Sequence, residues 1–241
     1  LAAAYFVARS RGYPAGTFPG WHIVLRSLVA AAPGLFVVVL IITGILSGVF
    51  TATESAAVAV LYALALTVFV YRSLTWDQFV RAASKAVKTT GVVLLLIGIS
   101  ATFGYLISFY GVAEKTGELM ASVSTSPWAI FLMVNIILFV LGTFLDMAAT
   151  ILICTPIFLP ICMQYGMGPV QFGIVMLLNC ALGLNTPPVG TTQFVGCAIG
   201  GVSVGTVMRT IWPFYGALLA ALALVTYVPA FSLWLPGVLL N

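Results

Sequence analysis

The chain has 241 residues, of which 62% are hydrophobic and only 6% are charged, with nine Lys or Arg against five Asp or Glu. Soluble domains carry about 25% charged residues, so this composition excludes a water-soluble enzyme, a nucleic-acid-binding protein and a disordered chain. Solid apolar runs at 37–42 and 92–97 argue against a transmembrane β-barrel, whose strands alternate apolar and polar residues. The sequence therefore predicts an all-α polytopic membrane protein whose surface faces lipid.

The predicted helices begin at the first residue. Residues 1–8 look like the last turns of a helix, and the chain starts without Met, so we expect a fragment of a longer protein. Crossing a bilayer takes about 20 apolar residues. The stretches that supply them are 33–50, 56–71, 90–110, 128–163, 172–201 (interrupted in the middle) and 211–235.

The basic residues predict the orientation of these spans. If the loop before the first span is cytoplasmic, eight of the nine Lys and Arg lie on the cytoplasmic side and only Lys115 lies outside. Cytoplasmic loops of membrane proteins carry such an excess of positive charge. We therefore expect the C-terminus on the outer side.

A short amphipathic helix is predicted at 75–88, between the second and third spans. Thr75 and Asp77 are suitable N-terminal caps. Apolar residues recur at helical spacing against Arg81, Lys85 and Lys88, which favours a helix lying flat in the inner interface. Periodicity alone leaves two interpretations open, a brace between groups of helices and a mere connector.

The stretch 128–163 is too long for one crossing, and its only charged residue, Asp146, lies near the middle. Two arms of about 18 residues would each be roughly 27 Å long, which suits two full spans or a re-entrant hairpin. An ionisable residue at membrane depth is a functional hypothesis by default. Asp146 is equally suited to cap the second arm, because a carboxylate is favourable at a helix N-terminus.

A second interruption is predicted at 183–190, with the sequence Gly-Leu-Asn-Thr-Pro-Pro-Val-Gly. Proline has no N–H, so in a helix Pro187 would free the carbonyl of Gly183 and Pro188 that of Leu184. Asn185 and Thr186 add side-chain oxygens. Unwound carbonyls of this kind coordinate Na⁺ in transporters, and the following half-helix offers N–H groups to an anion. The alternative is a kinked helix repaired by neighbouring hydroxyls and water.

The sequence Thr51-Ala-Thr-Glu54 fits a capping box, in which Thr51 caps a helix and Glu54 reaches back to its N–H. We prefer this structural interpretation to a substrate role for Glu54.

Five motifs together resemble a known family. They are GVFTATESAA at 48–57, GTFLD at 142–146 with PIFLPI at 156–161, FGIVM at 172–176, NTPPVG at 185–190 and VPAFSLWLP at 228–236. In this order they resemble the large membrane subunit of TRAP (tripartite ATP-independent periplasmic) transporters, the DctM family. The resemblance covers nearly the whole chain but only the second half of the family's subunit.

The resemblance implies a Na⁺-driven symporter for organic acids in the bacterial inner membrane. The implied partners are a periplasmic binding protein, a small membrane subunit and the N-terminal half of the same subunit. It also implies an elevator mechanism in one half of an inverted-repeat fold. The domains expected are scaffold helices within 1–74, the interface helix at 75–88, a transport domain at 89–202 and a last transmembrane helix at 203–241.

The resemblance also assigns residues. Gly142, Gly183, Thr186 and Val189 match the family's sodium site, mainly through backbone carbonyls. Asn185, Gly190 and Asp146 are our candidates for the substrate side. Na⁺ is expected as a transported ion, without an organic cofactor or a catalytic residue.

Two rivals to this prediction remain open, and a third is disfavoured. A proton-coupled carrier of a related inverted-repeat fold would use Asp146 as its relay. A non-transporting scaffold subunit would tolerate Thr186→Ala and Pro187→Ala without loss of uptake. An intramembrane enzyme lacks the parts, because the sequence places one carboxylate at depth, no His in a span and no metal-ligand set.

Overall fold

The computed structural model describes residues 2–12, 16, 19–187 and 190–239, without the side chains of residues 191 and 239. The secondary structure of this part is helical, with no strand. Its helices are α1 (Ala2–Ser10), α2 (Trp21–Leu46), α3 (Ala52–Ala65, continued by a π-helical turn at Leu66–Val70), α4 (Trp76–Phe109), α5 (Val112–Val123), α6 (Pro127–Phe144), α7 (Met147–Gln164), α8 (Pro169–Leu184), α9 (Thr191–Gly200), α10 (Val204–Tyr227) and α11 (Pro229–Leu239).

Six helices within the described ranges are long and apolar enough to cross a membrane: α2, α3 with its π-helical turn, α4, α6, α7 and α10. Helix α8 is apolar but has only 16 residues. The prediction of an all-α polytopic membrane protein is confirmed. Packing divides the chain into two units, and each is described by itself. The described residues up to Gly12 and from Gly91 onward form one unit, and those between them form the other.

In the smaller unit, α2 packs against α3. The hydroxyl of Tyr62 donates a hydrogen bond of 2.9 Å to the carbonyl of Pro33, and the rings of Phe36 and Tyr62 lie 5.6 Å apart. The sequence predicted that the first span begins at Pro33, whereas α2 begins at Trp21 and contains Pro33 in its interior. Proline inside a membrane helix is tolerated where side chains and neighbouring helices satisfy the freed backbone groups.

The capping box at the start of α3 is confirmed. The N–H of Glu54 donates to the Thr51 hydroxyl at 3.3 Å, and the N–H of Thr51 donates to the Glu54 carboxylate at 2.8 Å. Both bonds satisfy backbone donors that the first turn of a helix leaves without partners. Glu54 therefore has the structural role that the sequence favoured.

Helix α4 joins two elements that the sequence separated. The predicted interface helix at 75–88 and the predicted span at 90–110 form one helix of 34 residues. The Thr75 hydroxyl accepts from the N–H of Gln78 at 3.3 Å and so caps its start. No proline follows in this helix, and Gly91, at the junction of the two predicted elements, costs only about 1 kcal/mol. Nothing in the local sequence therefore stops the first helix before the second begins.

Two further helix boundaries differ from the prediction. The segment carrying Glu114, Lys115 and Glu118, which follows the predicted span at 90–110, forms a further helix, α5, which comes after Gly111 in the left-handed conformation. The predicted C-terminal helix at 203–241 is two helices, α10 and α11, separated at Val228. Val228 has φ −121° and ψ 91°, as expected of a residue before a proline that cannot continue a helix.

In the larger unit, α6, α7, α8 and α10 enclose an apolar core. Ile130, Leu138, Val175 and Leu182 are at most 2% exposed. A polar network runs through this core. The amide nitrogen of Asn179 donates to the side-chain oxygen of Asn135 at 2.6 Å, and that of Asn135 donates to the Thr226 hydroxyl at 3.2 Å. The network links α8, α6 and α10 and fixes their relative register.

We predict that Asn179→Leu lowers stability by about 1–3 kcal/mol, because the oxygen of Asn135 then stays buried without its donor. The double variant Asn135→Leu/Asn179→Leu should recover part of this loss, since it removes the unsatisfied oxygen of Asn135. The recovery should be incomplete, because the buried hydroxyl of Thr226 then loses the donor that Asn135 supplied. Thermal unfolding in detergent, followed by circular dichroism, measures both. A double variant less stable than either single variant would contradict the interpretation.

Candidate functional site

The two interruptions predicted from the sequence lie against each other in the structure. Gly142, in the last turn of α6, contacts Gly183, in the last turn of α8, through backbone atoms. A Cβ on Gly183 would lie 2.5 Å from the carbonyl oxygen and 2.8 Å from the Cα of Gly142, and closer still to its carbonyl carbon. Small residues at helix interfaces in membranes permit such an approach. Both glycines are buried.

The carbonyl oxygen of Gly142 is free to bind a ligand. It lies among the last carbonyls of α6, which have no intrahelical partner, and no N–H of the described residues donates to it. The N–H of Leu145 donates instead to Leu141 at 2.9 Å. The carbonyl oxygen of Gly142 is therefore without a backbone donor and lies beside the backbone of Gly183.

The sequence predicted that Pro187 leaves the carbonyl of Gly183 free. In the structure this carbonyl accepts a hydrogen bond of 2.9 Å from the N–H of Thr186. At Asn185 (φ −96°, ψ 0°) the backbone departs from helical geometry. The carbonyl of Gly183 therefore accepts from the N–H three residues later, in place of the N–H four residues later that Pro187 lacks. The Thr186 hydroxyl likewise donates to the carbonyl of Leu182 at 2.7 Å. A carbonyl has two lone pairs. The oxygen of Leu182 uses both, because the N–H of Asn185 also donates to it at 3.2 Å, whereas the oxygen of Gly183 keeps one acceptor position.

The helix is interrupted between Leu184 and Thr191, so the predicted discontinuity is present. Gly190 precedes α9 in the left-handed conformation, with φ 37° and ψ 49°. A Cβ there would lie 3.3 Å from the carbonyl oxygen of Thr186. Two predicted residues, Pro188 and Val189, lie outside the described residues.

Asn185 makes two hydrogen bonds, one through its side chain and one through its backbone carbonyl. Its side-chain nitrogen donates to the carbonyl of Ala181 at 2.9 Å, and its own carbonyl accepts a short hydrogen bond from the hydroxyl of Tyr215 in α10. Tyr215 is 7% exposed. It was not predicted from the sequence, although a hydroxyl-bearing ring in an apolar helix usually needs a partner when buried.

We predict that Tyr215→Phe lowers stability by about 1 kcal/mol, because the carbonyl of Asn185 loses its donor at the break. Tyr227→Phe is a matched control, since its hydroxyl also donates to a backbone carbonyl, that of Trp128 at 3.0 Å, but at an exposed position. The thermal midpoint in detergent should fall more for Tyr215→Phe than for Tyr227→Phe. Equal losses would contradict a specific role at the break.

Asp146 is exposed and caps α7, where its carboxylate accepts from the N–H of Ala148 at 3.1 Å. The capping interpretation of this residue is therefore confirmed, while its role in function stays a prediction. Arms α6 and α7 have 18 residues each, and the two residues between them are Leu145 and Asp146. Among the residues that the structure describes, no group of three or more His, Cys, Asp or Glu is placed to hold a metal ion.

Comparison with known proteins decides the family. A family model described as "Tripartite ATP-independent periplasmic transporter, DctM component" matches residues 1–231. This chain belongs to the DctM family. The resemblance drawn from the five motifs is thereby confirmed, and relatives in this family are named as permease proteins of bacterial TRAP transporters.

Three DctM relatives illustrate the match. A protein named YgiK of Salmonella typhimurium is 40% identical over 98% of this chain and 54% of its own length. The C4-dicarboxylate TRAP transporter large permease protein of Pseudomonas aeruginosa is 36% identical over 98% of this chain and 56% of its own. The sialic acid TRAP transporter large permease protein of Vibrio cholerae is 34% identical over all of this chain and 56% of its own. The chain spans about half the length of these relatives.

Proposed function

We propose that this chain is the C-terminal half of the large membrane subunit of a Na⁺-coupled symporter for organic anions. The observation that carries the proposal is the backbone contact between Gly142 and Gly183, which joins two helix ends inside an apolar core. Helix C-termini favour cations, and unwound carbonyls coordinate Na⁺ in other transporters. Gly142, Gly183 and Thr186 would supply oxygens, together with Val189.

The substrate side of the proposed site is the start of α9. Its first backbone N–H groups have no intrahelical partners and favour an anion. Gly190 and Asn185 flank this end, and we assign them to substrate with Asp146. Two of the relatives are named for C4-dicarboxylate and sialic acid, both organic acids, which supports an organic acid as the cargo.

The order of events follows from charge. Na⁺ binds first and holds the two helix ends together, and its positive charge then favours the carboxylate of the substrate. The membrane potential supplies about 2.3 kcal/mol per charge per 100 mV. We propose an elevator movement of the residues within 89–202, a periplasmic C-terminus, and partnership with a small membrane subunit and a periplasmic binding protein. The word "tripartite" in the family description supports two further components.

The test is uptake of labelled succinate or sialic acid into membrane vesicles that contain the full-length protein and its partner subunits. Replacing external Na⁺ by K⁺ should abolish uptake of the accepted substrate, and undiminished uptake would reject sodium coupling. A proton-coupled carrier would instead respond to a pH gradient and lose that response in Asp146→Asn. Thr186→Ala and Pro187→Ala should both reduce uptake, whereas a non-transporting scaffold predicts no effect.

A further inference from the structure

Gln193, in the first turn of α9, is a buried side chain with an unused oxygen. It is 5% exposed, whereas its neighbours Thr192 and Phe194 are exposed. Its amide nitrogen donates to the sulfur of Met208 in α10 at 3.0 Å. Its amide oxygen has no hydrogen-bond partner within the described residues and is out of reach of water. A buried acceptor without a donor costs about 1–3 kcal/mol, so this position calls for an explanation.

The oxygen of Gln193 faces the break in the helix. The position that a Cβ would occupy on Gly190 lies 3.5 Å from this oxygen and 3.3 Å from the carbonyl oxygen of Thr186. The two oxygens therefore both lie on the side of Gly190 where a side chain would be. One belongs to the chain leaving α8 and the other to α9, so an occupant that binds both would join the two half-helices.

The chemistry of the two oxygens indicates which kind of ligand could bind both of them. Both are amide carbonyls, which bind hard cations as ligands. The N–H groups of the same helix end favour the carboxylate of the substrate, so the cation and the anion would lie side by side here, as in the order of binding proposed above. A substrate molecule is too large to reach an atom that a water molecule does not reach, whereas a dehydrated monovalent cation is smaller than water. The amide nitrogen is already used by Met208, which orients the oxygen toward Gly190.

We propose that Gln193 is a further ligand of the coupling Na⁺ and binds it together with the carbonyl of Thr186. The inference rests on the proposed function, because it adds one side-chain oxygen to a site otherwise formed mainly by backbone. A side-chain ligand on α9 makes closure of the break depend on the cation. It also lets a single substitution change cation affinity without altering the backbone.

The test uses the full-length protein, purified in detergent, with its thermal midpoint measured against increasing NaCl at constant ionic strength maintained with KCl. A ligand that binds the folded state raises the midpoint with its concentration. Gln193→Met keeps the length of the side chain and removes the oxygen, so the half-maximal Na⁺ concentration should rise about tenfold. Gln193→Glu keeps an oxygen and adds a negative charge, so that concentration should be unchanged or lower.

Thr192→Ala is the matched control, an exposed position one residue away, and should respond to Na⁺ like the wild type. A stability loss in Gln193→Met that is equal in NaCl and KCl would mean that Gln193 only supports the first turn of α9, and would overturn the proposal. Weaker Na⁺ binding in Gln193→Glu would overturn it also, and this variant decides the matter if Gln193→Met does not fold. A wild type that ignores Na⁺ would instead reject sodium coupling itself.

Discussion

Gly183→Ala should abolish Na⁺-dependent stabilisation of the protein and lower its stability by about 1–3 kcal/mol or more. The added methyl group would lie 2.5 Å from the carbonyl oxygen of Gly142, and backbone atoms cannot move aside as the end of a flexible side chain can. Overpacking of this kind forces neighbouring helices apart. The helix ends that form the proposed cation site would then separate. The thermal midpoint in NaCl and in KCl measures both effects.

Two matched controls isolate the contact. Gly173 lies in the same helix, and no atom lies within 4 Å of the place that a methyl group would take there. Gly173→Ala should therefore be neutral or stabilising, because Ala is favoured over Gly in helices. Gly142→Ala is the second control. Its methyl group would lie 3.5 Å or more from the backbone of α8, an ordinary contact, so a smaller effect is expected. Equal losses in Gly142→Ala and Gly183→Ala would contradict this asymmetry.

Gly190→Ala is expected to have the second-largest effect. The φ of 37° costs a residue with a side chain about 1–2 kcal/mol, and the methyl group would press on the Thr186 carbonyl at 3.3 Å. Both the start of α9 and the oxygens beside it should shift. We expect lower stability and a higher half-maximal Na⁺ concentration, both measured by the same titration of the thermal midpoint.

Gly201→Ala is the control that distinguishes backbone strain at positive φ from the contact with the Thr186 carbonyl. Gly201 ends α9 in the same left-handed region, with φ 63°, but has nothing within 4 Å of a methyl position. It should lose comparable stability from backbone strain while keeping the Na⁺ affinity of the wild type. If Gly201→Ala weakened Na⁺ binding as much as Gly190→Ala, the proposed site beside Gly190 would be wrong.

The sequence predicted the fold class and both interruptions because each has a local cause. Prolines lack an N–H, a solid apolar run needs lipid, and Thr51 with Glu54 satisfies backbone donors within four residues. The contact between Gly142 and Gly183 could be expected only from the family resemblance, since its cause is a close approach of two helices distant in sequence. The bond from Thr186 to Gly183 was missed because the prediction assumed helical geometry up to Pro187.

The missed residues share one property. Tyr215, Gln193 and Asn179 act through partners on other helices, and their neighbours in the sequence do not identify these partners. A polar residue inside an apolar helix is the one signal that was present, because such residues need partners in a membrane.

The prediction of helix boundaries was wrong for a different reason. Helix α5 is short and half polar and packs against α7, where Ile161 lies beside Gly117. Its stability is therefore expected to come from this packing more than from its own composition.

The continuity of α4 has a consequence for how deeply that helix sits in the bilayer. At 1.5 Å per residue its 34 residues extend about 51 Å, against a hydrocarbon thickness of about 30 Å. A helix longer than the hydrocarbon layer tilts or protrudes from it. All of its charged residues, Asp77, Arg81, Lys85 and Lys88, lie in the first 13 residues, while the 21 that follow match the hydrocarbon thickness. The charged turns are therefore expected to stay in the headgroup region or in water, and so to fix how deeply the helix is inserted in the bilayer.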